Sequence, residues 1–268
     1  MSTDANKTSG WWGSFKIDSG QSKQWRIGPL TLIVHRLNGD WRVGHQREEN
    51  FDITNVTWEI TDTALLPENL ENNSRYILQD STGILIITPR LADRPVIIRP
   101  HMPFNLAAGE KVTLYISSPL WMALSVGDSE KTLDEFAIQR PSDTWFGPST
   151  LEGELCYAST THCRLYLEEL PQRAHRAITP VVINNLADTA LSVERINLPA
   201  PLLQLYSSKN NQLWTPNISL VREKDGDMAA LNIDKNPPKE AEDALQLSEA
   251  RTSMDNGVLF RAFNAIFN

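Results

Sequence analysis

Glu152 and Glu154 are the pair best placed for acid–base chemistry. On an extended strand they share a face, and their carboxyls approach within about 7 Å. Two carboxylates whose proton affinities are pushed apart can run a glycosidase-like reaction, one giving a proton while the other takes one. Asp143 and Trp145 lie nearby in the chain and would suit a sugar. The structural alternative is a solvated strand edge whose charges discourage aggregation. Arg173, His175 and Arg176 form a second cluster, after Pro171. Three such donors could hold a phosphate or carboxylate ligand. The competing use is pairing with Glu168, Glu169 or Glu194.

Residues 142–148, Ser-Asp-Thr-Trp-Phe-Gly-Pro, place two large aromatics side by side in a turn-rich stretch. Both cannot face one core. An exposed Trp145 beside Asp143 and Thr144 would stack on a sugar or anchor a partner. Otherwise the segment is a latch between domains, with Ser142 or Asp143 capping the turn and Trp145 filling the seam. Together Asp143, Trp145, Glu152, Glu154, Arg173, His175 and Arg176 are the candidate ligand-binding residues.

Cys156 and Cys163 flank an expected turn at Thr160-Thr161. A two-residue turn would set them diagonally, roughly 7–8 Å apart at Cα. A disulfide prefers about 5.5–6 Å. His162 would then point to the other face, so a Cys-His-Cys zinc cluster fails as well. Two buried thiols acting as small hydrophobes are expected instead. His35 and His45 fall on different faces of one hairpin and do not converge. The chain has no G-x-S-x-G, G-x-x-x-x-G-K-[ST], H-E-x-x-H or dinucleotide fingerprint. No metal or cofactor is expected.

The elements that must position these groups are strands. Asn38-Gly39 and Asp225-Gly226 each sit between alternating runs, and both dipeptides suit the positive φ angles of type I′ hairpin turns. In the first hairpin Leu37 faces Asp40, Val34 faces Val43 and His35 faces Arg42. Leu30, Leu32, Val34, Trp41 and Val43 then form a core face, and Thr31, Ile33, His35 and Arg42 a wetter one. In the second, Leu220 faces Leu231 and Ile218 faces Ile233. Further runs at 56–60, 75–78, 83–88, 96–99, 111–117, 120–126, 154–158, 164–167, 181–184, 190–196 and 202–206 have sandwich-like spacing.

Helical spacing is confined to the end of the chain. Pro237-Pro238 opens a pattern that runs to residue 250. Leu259, Phe263 and Ile266 then recur at helical intervals beside Phe260 and Phe267. Leu259, Phe260, Phe263 and Phe267 are the candidate partner-binding residues, since an aromatic helix face can dock on a protein. The alternative is a tail that folds back over an open sheet.

These signals give an all-β fold: two tandem antiparallel β-sandwich domains, immunoglobulin-like in pattern, with a short helical C-terminal tail. The divisions are a flexible segment 1–24, a first sandwich 25–127, an interdomain segment 128–150, a second sandwich 151–235 and the tail 236–268. The 268 residues are 41% hydrophobic and 22% charged, enough apolar material for packed cores. No run approaches the roughly 18–20 apolar residues of a spanning helix, so the chain is not expected to span a membrane. The net charge of −8 disfavours nucleic acid. Two cysteines and a polar start without a signal-like core point to the cytoplasm.

Three segments together resemble a prokaryotic family of uncharacterised proteins that carries a domain-of-unknown-function label. They are 140–158 (Arg-Pro-Ser-Asp-Thr-Trp-Phe-Gly-Pro-Ser-Thr-Leu-Glu-Gly-Glu-Leu-Cys-Tyr-Ala), 169–180 (Glu-Leu-Pro-Gln-Arg-Ala-His-Arg-Ala-Ile-Thr-Pro) and 26–30 (Arg-Ile-Gly-Pro-Leu). The resemblance spans most of the chain and implies no activity. Bacterial members lie beside mechanosensitive-channel genes, which implies a membrane-channel partner. The expected function is a non-enzymatic cytoplasmic protein-interaction module with an unknown protein partner. The alternatives are a binder of a sugar or anionic metabolite at the domain seam, and an enzyme using the paired carboxylates.

Overall fold

The computed structural model describes residues 10–49, 51, 57–78, 82–127, 132–147, 152–161, 163–224, 228–253 and 258–263, with backbone only for 258–260. The fold is all-β, and its described helices are single 3₁₀ turns at Pro67–Asn69, Leu167–Glu169, Ala200–Leu202 and Lys239–Ala241. The described residues form two compact units. The first draws on 10–90, 120–139 and 173–175, and the second on 91–119, 140–172 and 176–263.

The first unit contains a five-stranded antiparallel sheet ordered Trp58–Thr63, Ser22–Ile27, Leu30–Leu37, Asp40–Arg47, Asn72–Ile77. The Asn38-Gly39 hairpin has the expected register, with Leu37↔Asp40, Val34↔Val43 and His35↔Arg42. Its apolar face is buried throughout. The face expected to be wetter is covered too at its centre, where Ile33 and His35 are buried and His35 Nδ1 lies 2.8 Å from Ser22 Oγ. A second antiparallel sheet runs Gly13–Lys16, Ile84–Arg90, Trp121–Val126, Thr132–Ala137. Phe15 of this sheet meets Trp25 of the other edge-on, with ring centres 5.2 Å apart. Within the segment read as a flexible leader, residues 10–24 are structured: Trp11 is fully buried and donates Nε1–H to Ala174 O at 2.8 Å.

The second unit is organised by the strand Arg176–Asn185. Lys111–Pro119 runs antiparallel along it, residue for residue from Lys111↔Asn184 to Pro119↔Arg176. Leu213–Trp214 and Ile218–Arg222 also pair with it, both parallel. Val96–Pro100 likewise pairs with Glu154–Thr161 in parallel, so the purely antiparallel expectation is corrected. The reason is topological: long connections bring distant strands side by side, which alternation within one strand does not report. The second hairpin has its expected register, Leu220↔Leu231 and Ile218↔Ile233, while its Asp225-Gly226 turn lies outside the described residues.

The helical tail is overturned. Where helices were expected, the chain makes one 3₁₀ turn at Lys239–Ala241, the strand Leu245–Ser248 and the strand Val258–Arg261. The last pairs antiparallel with Met228–Ile233. A short helix is marginal by itself, whereas an open sheet edge supplies backbone partners at once. Phe263 is buried and bridges Ile196. Phe267 lies outside the described residues.

Buried polar groups pin the second unit. Asn185 Nδ2 stands 3.1, 3.0 and 2.9 Å from the carbonyls of Leu106, Ala107 and Thr189. Its Oδ1 accepts from Arg222 Nη1 at 3.0 Å, and Arg222 also donates to Thr189 O. Asn185→Ala strips these contacts and removes one acceptor from the buried Arg222 guanidinium. Urea unfolding should show a loss of about 3 kcal/mol.

His45 gives the first unit a pH dependence. Its ring stacks on Phe136, centroids 4.1 Å apart, and burial, with the charge of Arg47 adding, pushes its pKa below the ordinary value. The folded state therefore favours neutral imidazole. That contribution is complete above the unfolded pKa of about 6.5 and is lost as pH falls through the depressed native value. In urea titrations at pH 7.5 and 5.5, His45→Gln should narrow the stability difference between the two.

Candidate functional site

The most distinctive sequence segment folds into an antiparallel pair, Ser142–Phe146 with Glu154–Thr161. Residues 142–146, expected as a loop, are an edge strand of the sheet that continues to Val96–Pro100 and Ile196–Leu198. Glu154–Thr161 is continuous through Thr160-Thr161, so the turn expected there is absent. The alternation of a strand resolves the problem of two adjacent aromatics. Phe146 points inward and packs with Cys156 and Ile97. Trp145 points outward and is 45% exposed, opposite Leu155 at 46%. The backbone beyond Phe146 closes tightly, since a Cβ on Gly147 would lie 2.1 Å from Glu152 O.

Asp143 and Tyr157 share the outer face with Trp145 and Leu155. Asp143 is an ion-pair hub: Arg94 Nη1 lies 3.5 Å from Oδ1 and Arg140 Nη2 3.2 Å from Oδ2. Arg94 also sits over the Tyr157 ring at 5.4 Å. Tyr157 donates its hydroxyl to Asp93 Oδ1 at 2.9 Å. Burial, and then that hydrogen bond, raises the Tyr157 pKa, so the phenol stays protonated. Tyr157 itself is buried beneath Arg94, so what this face offers is an exposed apolar pair beside two held guanidinium groups. It can bury apolar area and form charge-assisted hydrogen bonds.

Glu152 precedes the strand that begins at Glu154, so the two do not sit together on one strand. Both line a concavity of about 260 Å³ with Gly153 and Arg261. Glu154 Oε1 accepts from Asn197 Nδ2 at 3.3 Å, and the same amide reaches Arg261 O at 3.2 Å. Arg176 is buried in the second unit. It donates Nε–H to Ser117 Oγ and Nη2–H to Ser117 O, both at 2.6 Å, and Nη2 stands 3.3 Å from Ser159 Oγ. It ties strands rather than presenting charge to solvent.

Arg173 and His175 belong to the first unit. His175 is buried edge-on to Phe51 and stacked beneath Gly28. There a Cβ would lie 2.6 Å from its Nδ1, at a backbone φ of +54°. The segments 26–30 and 173–175, far apart in sequence, thus meet in space. Burial pulls the Arg173 guanidinium below its ordinary pKa. Sequence reasoning missed Leu155, Tyr157, Arg94 and Asn197. Leu155 and Tyr157 follow from period-two alternation once 142–146 is read as a strand. Arg94 reaches the face through the parallel pairing of Val96–Pro100, which leaves no local signature.

Both cysteines are free thiols. Burial pushes Cys156 up to about 12 and Cys163 up to about 11. Cys156 should resist N-ethylmaleimide at pH 7.5 until the protein is unfolded, as mass spectrometry of its peptide will report. Cys156→Ser, which puts a hydroxyl against Ile97 and Phe146, should cost about 1–3 kcal/mol in urea unfolding.

Among protein families, the one described as "Protein of unknown function (DUF432)" matches residues 11–268. No curated protein and no solved structure matches the chain.

Proposed function

The chain belongs to this family, whose description names no activity, and from that premise we propose that it is a protein-interaction module rather than an enzyme. The observation that carries this reading is the outer face of the Ser142–Phe146/Glu154–Thr161 pair. Trp145, on the edge strand, and Leu155, on the strand paired with it, form an apolar anchor about half exposed. Arg94 and Arg140 flank it, held by Asp143. Trp, Tyr and Arg dominate the energetics of protein interfaces, and an anchor rimmed by polar groups is the arrangement that excludes water around it. An edge strand also offers backbone groups to an incoming strand.

The same reading takes each unit as an immunoglobulin-like sandwich working in the cytoplasm. A membrane channel is the class of partner that the family resemblance suggests. Nucleic acid is disfavoured by the net charge of −8. Glu152 and Glu154, with Asn197 and Arg261 around them, are read as the structured end of the strand pair rather than as a catalytic couple. Leu259 and Phe260 are read as part of the final strand, whose backbone pairs with Met228–Ile233.

The test is affinity capture with the immobilised full chain and with Trp145→Ala/Leu155→Ala. The double variant should keep the wild-type circular dichroism, because both residues are surface-exposed. It should retain a stoichiometric protein partner at least about tenfold less well. Equal retention by both proteins, or no stoichiometric partner for the wild type, overturns the proposal.

A further inference from the structure

A second feature of the same unit stands apart from that face. A groove of about 430 Å³ lies beside Lys111–Pro119. Its apolar wall is Met102, Phe104, Leu106, Val112, Leu114 and Leu165. Leu106 and Leu114 are buried and form the floor, while Met102, 82% exposed, and Leu165, 55% exposed, stand at the lip. An apolar cavity of this size with a few polar groups has the dimensions of a small-molecule site.

The polar groups select the ligand's charge. The ionisable residues lining the groove are His101, Cys163 and Arg164, and no aspartate or glutamate lines it among the described residues. That is notable in a chain with 33 acidic against 25 basic residues. Cys163 is held as the neutral thiol by burial. Arg164 is permanently charged, and its backbone is fixed in place: its N–H donates to Tyr115 O at 3.1 Å and its carbonyl accepts from Tyr115 N–H at 2.8 Å. Its guanidinium is under-satisfied. Nε is buried with no hydrogen-bond partner among the described residues, and Nη1 is 3.9 Å from Glu169 Oε2, beyond hydrogen-bond length. The Arg164 side chain is 36% exposed, and a carboxylate at the mouth would compete with that long ion pair by offering its exposed N–H groups a charge-assisted bond.

We propose that the groove binds a small amphipathic carboxylate, its hydrocarbon body against Met102, Phe104 and Leu114 and its carboxylate on Arg164. An unbranched chain of medium length is a simple body for a groove lined by apolar side chains and one arginine. Binding is reversible and involves no covalent step.

Calorimetry with octanoate and with 1-octanol tests this on the full chain. Octanoate should bind the wild type more tightly than octanol does. Arg164→Gln should weaken octanoate by about tenfold and leave octanol unchanged. Met102→Glu changes an exposed side chain and so keeps the fold. It should weaken both probes, and octanoate more. In protein labelled at methionine methyls, the Met102 resonance, assigned with Met102→Leu, should shift on adding octanoate. No binding of octanoate at millimolar concentration, equal affinity for octanoate and octanol, or an Arg164→Gln protein that binds octanoate like the wild type overturns the proposal.

Discussion

The second unit depends on one ladder, the antiparallel pairing of Lys111–Pro119 with Arg176–Asn185. It is built from strands far apart in sequence, so closing it costs chain entropy that only extensive burial can offset. Its interior provides that burial. Leu114, Ile116, Ile178, Val181 and Ile183 are all buried. The polar groups inside it are satisfied in pairs: Ser118 Oγ and Thr179 Oγ1 lie 2.7 Å apart, and Arg176 is bonded to Ser117. Such groups stabilise little in net terms but are costly when left alone. They therefore specify register more than they add energy. A slip of one residue would strand Arg176, Ser118 and Asn185 together.

Both surfaces of interest hang from this ladder. Arg176 reaches from its end to Ser159 on Glu154–Thr161, the strand that carries Leu155 and Tyr157. The bridge between Tyr115 and Arg164 fixes one wall of the apolar groove. Asn185, at the far end, holds the carbonyls of Leu106 and Ala107 beside the other wall. Strands thus present the exposed Trp145–Leu155 pair, while the apolar trough is held by strand Lys111–Pro119 on one side and by the backbone of Arg164 bridged to Tyr115. Side chains set on strands lose less freedom on binding than side chains on loops.

Hairpins were the most legible part of the chain. The pairing of Val34 with Val43 and of Leu220 with Leu231 follows from turn position and alternation alone, because the contacts are local. The terminal stripe misled for a related reason. Spacing that suits a helix over four residues also occurs in a strand when the sheet edge of Met228–Ile233 is available. Trp145 was legible as a residue that could not share a core with Phe146, although its stretch read as a loop. Arg94 and Asn197 were not legible, since each arrives through pairing between strands far apart along the chain, Val96 with Tyr157 and Ile97 with Asn197.

Composition and alternation by themselves determined an all-β chain with apolar interiors, the two hairpin registers, and the segment in which two adjacent aromatics could not share one core. These are consequences of backbone geometry acting between near neighbours. Only the tertiary structure decided which distant strands became partners, that some of them run parallel, and which charged side chains ended beside Trp145 or in the groove. Those outcomes turn on free energy shared among long-range contacts, and no short stretch of sequence contains the partner that completes them.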